Sequence, residues 1–213
     1  MNNRGSRDER WMATRRALHA VAESVIAGPQ YRTAGTIRLR VTPGGFGGLV
    51  APLRVEGAEL VWPDGRVPLA GTCRQLADAA GVPVGPPEGL YADGSGVGPD
   101  EPVVVDADMA ADLADWFARG EQALRWFGDP VLWPEHFDLG VAADRVNYGI
   151  SPGDAAHPAP YAYVGPWEPR RGPFWNAPFG ALRPAAELPD ADALGAFLAE
   201  GRAAAERDPV ATG

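Results

Sequence analysis

The chain has 213 residues, enough to bury a core without disulfides or metal. It carries a net charge of −9 with a pI near 4.8, so the basic footprint of a nucleic-acid binder is missing. All nineteen basic residues are arginine, and there is one cysteine, Cys73. The absence of lysine excludes Schiff-base chemistry and the lysine of a phosphate loop. A lone cysteine excludes an internal disulfide, thiolate zinc sites and iron–sulfur clusters, and a cytoplasmic location is expected. No apolar run approaches membrane-spanning length, and the charged N-terminal stretch does not read as a signal peptide.

Along the chain, Trp11, Leu18, Val21, Ala22 and Val25 recur at helical spacing and predict a helix over 9–27, stopped by Gly28-Pro29. His19 lies beside this stripe and reads as a boundary histidine rather than a ligand. Residues 35–42 alternate, with Ile37, Leu39 and Val41 on one side and Arg38 and Arg40 on the other, as a strand does. The sequence PGGFGG then reads as a turn, and 49–55, 58–62 and 66–69 read as strands. Thr72 is placed to cap a short helix that Gly81 ends.

The stretch 81–102 is rich in glycine and proline. Stretches of this length are linkers, disordered loops or functional loops, and Tyr91 at its centre points to a loop ordered over a pocket. A second helix is expected over 107–127, capped by Asp106 or Asp108, with Met109, Leu113, Trp116, Phe117, Leu124 and Phe127 buried. A third is expected over about 190–206, capped by Asp190, with Leu194, Phe197 and Leu198 buried. The expected fold is a single α+β domain over 1–213: antiparallel sheet with three principal helices packed on it, in two halves separated by the loop.

Between the last two helices the composition changes. The window Trp126–Phe179 holds eleven of the nineteen aromatic residues, and two of the three histidines lie there. Phe137, Leu139 and Val141 alternate with His136, Asp138 and Gly140. Val146, Tyr148 and Ile150 alternate with Asn147, Gly149 and Ser151. The short AADR link predicts a hairpin. A turn centred on Ala143–Asp144 pairs Leu139 with Tyr148, Asp138 with Gly149 and His136 with Ser151. His136, Asp138, Asn147 and Ser151 then share a face, and Gly149 leaves room beside them. SPGD at 151–154 suits a type II turn. Tyr161 and Tyr163 fall on one face, and Trp167, Trp175 and Asn176 follow.

This pattern predicts a small-molecule pocket with aromatic walls. His136 and Asp138 are the candidate catalytic pair, His136 moving a proton. Asn147, Tyr148, Ser151, Tyr161, Tyr163, Trp167, Trp175 and Asn176 are the candidate ligand contacts. Glu135 and Asp154 are further acid–base candidates. Neither a cofactor nor a metal is required. A minor alternative is a mononuclear metal held by His136, Asp138 and His157. Ser151 as a nucleophile lacks the G-x-S-x-G elbow. TPGGFGG and DGSGVG are weak phosphate-loop candidates, since neither opens a helix after a strand. Arg170-Arg171 could bind an anionic ligand group. A competing reading of another class is a non-catalytic interaction module that docks a protein on its aromatic patch.

The blocks WMATRRALH (11–19), TIRLRVTP (36–43), FDLGV (137–141), YAYVGP (161–166), FWNAPFGALRP (174–184) and DALGAFLAEGRAAAE (192–206) resemble, in order, those of an uncharacterised bacterial family of domains of unknown function. The chain departs from that family in being shorter, with less sheet in its first half and a compact NYGISPGD block. The resemblance implies an α+β fold and assigns no catalytic residue.

Overall fold

A computed structural model of the chain describes residues 3–91 and 94–211. The fold is α+β, and every paired strand is antiparallel to its neighbours. The chain divides into two compact units: 1–118 with 132–137, and 119–131 with 138–213. No helix among the described residues is long and apolar enough to cross a membrane.

In the first unit, strands β1 (Leu39–Thr42), β2 (Gly45–Gly48), β3 (Arg54–Glu56), β4 (Glu59–Trp62) and β5 (Gly65–Pro68) form a meander. β8 (Val131–Trp133) pairs with β1 through Leu132 and Leu39. β6 (Ala70–Thr72) and β7 (Pro102–Val104) make a separate ribbon. PGGFGG is not wholly a turn: only Pro43-Gly44 turns, and the rest is the buried strand β2. Its glycines are there for space. A Cβ at Gly45 would lie 2.4 Å from the Val55 carbonyl oxygen, and one at Gly47 2.7 Å from the Arg54 Cβ.

The expected strand over 49–55 begins only at Arg54. Before it the chain bends, and the buried Gln30 side chain takes the place of a ladder. Gln30 Oε1 accepts from the N–H groups of Val50 (2.7 Å) and Ala51 (3.1 Å), while Nε2 donates to the carbonyls of Thr36 and Arg38. Three ring contacts join Phe46, Phe117 and Phe137 edge to face in the core.

The first helix does not stop at Gly28-Pro29. Helix α1 (Asn3–Val21) widens into a π-helical turn (Ala22–Ala27) and continues as α2 (Gly28–Ala34), which ends on left-handed Gly35. Proline has no N–H and its ring crowds the carbonyl four residues back, but it is tolerated in a first helical turn. The π turn supplies such a start: the Gly28 N–H reaches back to the Glu23 carbonyl, five residues away. The Ser24 carbonyl, thereby released from the helix ladder, accepts from Gly85 N–H at 2.9 Å.

Helix α3 (Cys73–Ala80) behaves as predicted. Thr72 and Gln75 form a capping box, and Gly81 closes the helix in the left-handed conformation. In α4 (Ala107–Leu124), Asp106 is the cap, its Oδ1 accepting from the amides of Asp108 and Met109.

In the second unit, β9 (Asp138–Ala143), β10 (Val146–Ser151), β11 (Tyr161–Pro166) and β12 (Ala181–Pro184) are consecutive neighbours. Helix α5 (Ala191–Arg207), capped by Asp190, buries Leu194, Phe197 and Leu198 as expected. The hairpin register differs from the predicted one by two residues: Val146 faces Ala143, Tyr148 faces Val141 and Gly149 faces Gly140. The turn is centred on Asp144-Arg145, both at positive φ. That two-residue geometry follows the right-handed strand twist, and aspartate tolerates it. Arg145 is held there by an ion pair to Glu168 and by its guanidinium over the Trp167 ring, 5.8 Å from the centroid. A shift of two preserves side-chain parity, so the predicted faces survive while their partners change.

Candidate functional site

The predicted polar face of the second unit exists, and its groups are paired with one another. Ser151, Gly149 and Asn147 on β10 lie opposite Tyr161, Tyr163 and Gly165 on β11. The Tyr163 hydroxyl donates to Asp138, and burial together with that carboxylate raises the phenol far above its ordinary pKa. The space over Gly149 is not open. It is filled by the Tyr163 ring, which a Cβ at Gly149 would approach to 2.3 Å.

The Tyr161 hydroxyl donates to Asp154 Oδ2 at 2.5 Å, and Asp154 Oδ1 accepts from the amides of Ala156 and His157, both at 2.7 Å. Burial works against the Asp154 carboxylate, yet these hydrogen bonds hold its pKa below the usual value. The turn after β10 has Gly153 at positive φ, as SPGD predicts, and Ser151 Oγ accepts from the Gly153 amide.

The remaining candidates also meet protein partners. Trp167 Nε1 donates to Asn147 Oδ1 at 3.1 Å, and Trp175 Nε1 to Asp208 Oδ2 at 3.0 Å. Asn176 grips both backbone groups of Leu182, standing in for a further strand at the sheet edge. Arg170 donates to the Asp208 carbonyl, and its backbone bridges to Val210. Tyr148 is not on this face. It is buried on the opposite side, its ring 4.4 Å from that of Phe127.

His136 is not in the hairpin. It is exposed in the turn before Phe137, which has a φ of 52° and ends that turn. A bulky side chain in the left-handed region is strained, and the aromatic core around the Phe137 ring holds it there. His157 is exposed, its ring 5.5 Å from Tyr161. Among the described residues, no three His, Cys, Asp or Glu side chains converge as a metal site requires.

A second polar cluster, in the first unit, is centred on the π turn. π turns inside helices recur at functional sites. His19, one turn before it, stacks on Phe137 at 5.3 Å with the rings nearly parallel. His19 Nε2 lies 2.6 Å from the Pro134 carbonyl oxygen. A carbonyl only accepts, so Nε2 carries the proton and Nδ1 keeps the basic lone pair. Burial lowers the His19 pKa, against the raising pull of Glu23, so the ring is neutral at pH 7.

Glu23, four residues on and within the π turn, is buried and accepts from Ser95 N–H at 3.0 Å. The loop that supplies this amide is docked by the Gly85–Ser24 bond and by Arg32, which donates to the carbonyls of Pro83, Gly85 and Pro86. The approach is close: a Cβ at Gly28 would lie 1.8 Å from the Gly85 carbonyl oxygen. DGSGVG opens at Asp93, outside the described residues, and its Ser95 and Gly98 amides are committed to the carboxylates of Glu23 and Glu101.

Tyr91, on the same loop, is half-buried. Its hydroxyl is inaccessible and leans on the Glu23 carboxylate without a regular hydrogen bond. Burial and the Glu23 charge raise its pKa, so the phenol is protonated. Burial and Glu23 likewise push the Cys73 thiol up to about 11, which makes it an inert core group rather than a nucleophile.

The arrangement therefore combines a neutral imidazole with one basic nitrogen, a buried carboxylate, and a phenol with an unused hydrogen-bonding capacity. The sequence held one usable signal for it: His19 and Glu23 stand four apart, on one helical face, with Tyr91 in the long loop. What it did not reveal is that a π turn would carry Glu23 into the interior.

The chain is thus an α+β protein in which half-buried His19 and Tyr91 flank the buried carboxylate of Glu23. Comparison with family models, curated proteins and solved structures returns no match.

Proposed function

We propose that this is a cytoplasmic protein that binds a small polar molecule at the His19–Glu23–Tyr91 cluster and moves a proton there without a metal. Nδ1 of His19 is the accepting atom. The Tyr91 hydroxyl donates a hydrogen bond to the ligand, and Glu23 stabilises the imidazolium that forms. The observation that carries this reading is the inaccessible Tyr91 hydroxyl, which leans on the Glu23 carboxylate without forming a regular hydrogen bond. A buried hydroxyl so weakly satisfied gains from a ligand oxygen that takes its proton in good geometry. The depressed basicity of His19 suits a proton acceptor that must be unprotonated at neutral pH.

A thermal-shift screen of small carboxylic acids, amides and sugars against the wild-type chain, Tyr91→Phe and Glu23→Gln tests it. The expected hit raises the melting temperature of the wild type and loses most of that shift in both variants. A hit that stabilises all three proteins equally removes the cluster from the site.

A further inference from the structure

Glu23 carries a charge that no group of the protein balances. Its side chain is 4% exposed, and glutamate is almost never buried to that degree unless it is paired with a cation. None of the ion pairs among the described residues includes it. Its contacts are one neutral amide, the Ser95 N–H at 3.0 Å, and the loosely placed Tyr91 hydroxyl.

The neighbours supply no positive charge. Burial holds His19 neutral, Tyr91 stays a phenol and Cys73 stays a thiol. Arg15 and the exposed His136 act on His19, and Glu135 acts on Tyr91, but neither Arg15 nor His136 pairs with Glu23. The cluster of His19, Glu23, Tyr91 and Cys73 is therefore negative, and a buried charge of this kind calls for a cation with hydrogen bonds to give.

The loop restricts the size of that cation. A Cβ at Gly94 would lie 2.0 Å from Glu23 Oε1, so the backbone there lies against the carboxylate and leaves no space for a bulky head group. A primary ammonium is compact and has three N–H donors, whereas a quaternary ammonium is larger and has none.

We infer that the ligand of this cluster is a primary ammonium with a neighbouring oxygen, the chemistry of an amino alcohol. The ammonium donates to Glu23, Nδ1 of His19 accepts a second N–H, and the neighbouring oxygen accepts from Tyr91. The inference rests on reading the cluster as a binding site and adds the charge of its occupant.

Nuclear magnetic resonance of the full chain at constant pH, following the His19 ring protons, tests this with three probes that share a hydroxyethyl unit: ethanolamine, ethylene glycol and choline. Ethanolamine is expected to shift the His19 signals and to bind at least about tenfold more tightly than either other probe. Glu23→Gln keeps the side-chain shape and an acceptor for the Ser95 N–H. It is expected to weaken ethanolamine at least about tenfold and to leave ethylene glycol unchanged. Tyr91→Phe is expected to weaken ethanolamine and ethylene glycol by the same factor, and dispersed amide spectra check that both variants are folded. Ethylene glycol that binds as tightly as ethanolamine overturns the inference and leaves the cluster a site for neutral molecules. Choline that binds as tightly also overturns it, because choline has no N–H to donate. Ethanolamine that shifts nothing at tens of millimolar overturns it whatever the thermal-shift screen returns. Ethanolamine binding unchanged in both variants overturns the inference and the reading of the cluster together.

Discussion

The polar face of the second unit and the π-turn cluster of the first hold the same kinds of side chain, yet their accounts differ. Tyr163 is spent on Asp138, Tyr161 on Asp154, Trp167 on Asn147, and Asn176 on the Leu182 backbone. In the π-turn cluster the inaccessible Tyr91 hydroxyl leans on Glu23 without a regular hydrogen bond, and His19 spends its one N–H on Pro134 and keeps a lone pair. Density of polar and aromatic residues here marks a region whose polar groups are largely paired with one another. A buried group with unused capacity is the better sign of a site.

Glycine substitutions should separate the two regions most strongly. Gly28→Ala sets a Cβ against a backbone oxygen, which no rotamer change relieves. It should cost about 3 kcal/mol and release the 81–102 loop, read as a fall in melting temperature with new cleavage in that loop under limited proteolysis. Gly149→Ala meets the Tyr163 ring, which must strain its bond to Asp138 to make room, and should cost about 2 kcal/mol by urea unfolding with no new cleavage in that loop. Similar costs and similar cleavage would erase the contrast.

A smaller effect comes from removing one oxygen in each region. Tyr163→Phe loses a charged hydrogen bond and should cost about 1.5–3 kcal/mol. Tyr91→Phe loses only a loose contact with Glu23 and should change stability by less than about 1 kcal/mol, in either direction. If Tyr91→Phe destabilised as much as Tyr163→Phe, the Tyr91 hydroxyl would be structural and the contrast would fail.

The smallest expected effect is in the pH profile. His19 has a lower pKa folded than unfolded, so the unfolded chain takes up its proton first as pH falls. The stability contributed by the neutral ring is present above the ordinary histidine value of 6.5 and is lost as pH drops towards the lower folded value. Melting temperatures of the wild type should fall more steeply from pH 7 to pH 5 than those of His19→Gln, which cannot titrate there. Parallel profiles would show that His19 is not held neutral.

Strand parity in the aromatic segment was legible because alternation depends only on neighbours in sequence. The pairing was not, because the turn centre moved by one residue to Asp144-Arg145, where contacts from Glu168 and Trp167 hold Arg145 at positive φ. The meaning of Gly149 was half legible. A need for space was readable, while its use by the Tyr163 ring depended on which strand lies alongside. His136 dropped out of the predicted face because Phe137 breaks the alternation, a strain only the surrounding core makes tolerable.

Local sequence alone determined the helices over α4 and α5 with their aspartate caps, the Thr72–Gln75 capping box and the glycine stops at Gly81 and Gly153, because each depends on atoms a few residues apart. It also determined what chemistry is missing, through the absent lysines and the single cysteine. Only tertiary structure decided that the first helix runs through Pro29, since a released Ser24 carbonyl is tolerable only when a loop sixty residues away in sequence supplies the Gly85 amide. The same contact brings Tyr91 and Ser95 to Glu23. The site we propose thus comes from a long-range hydrogen bond that no local pattern encodes.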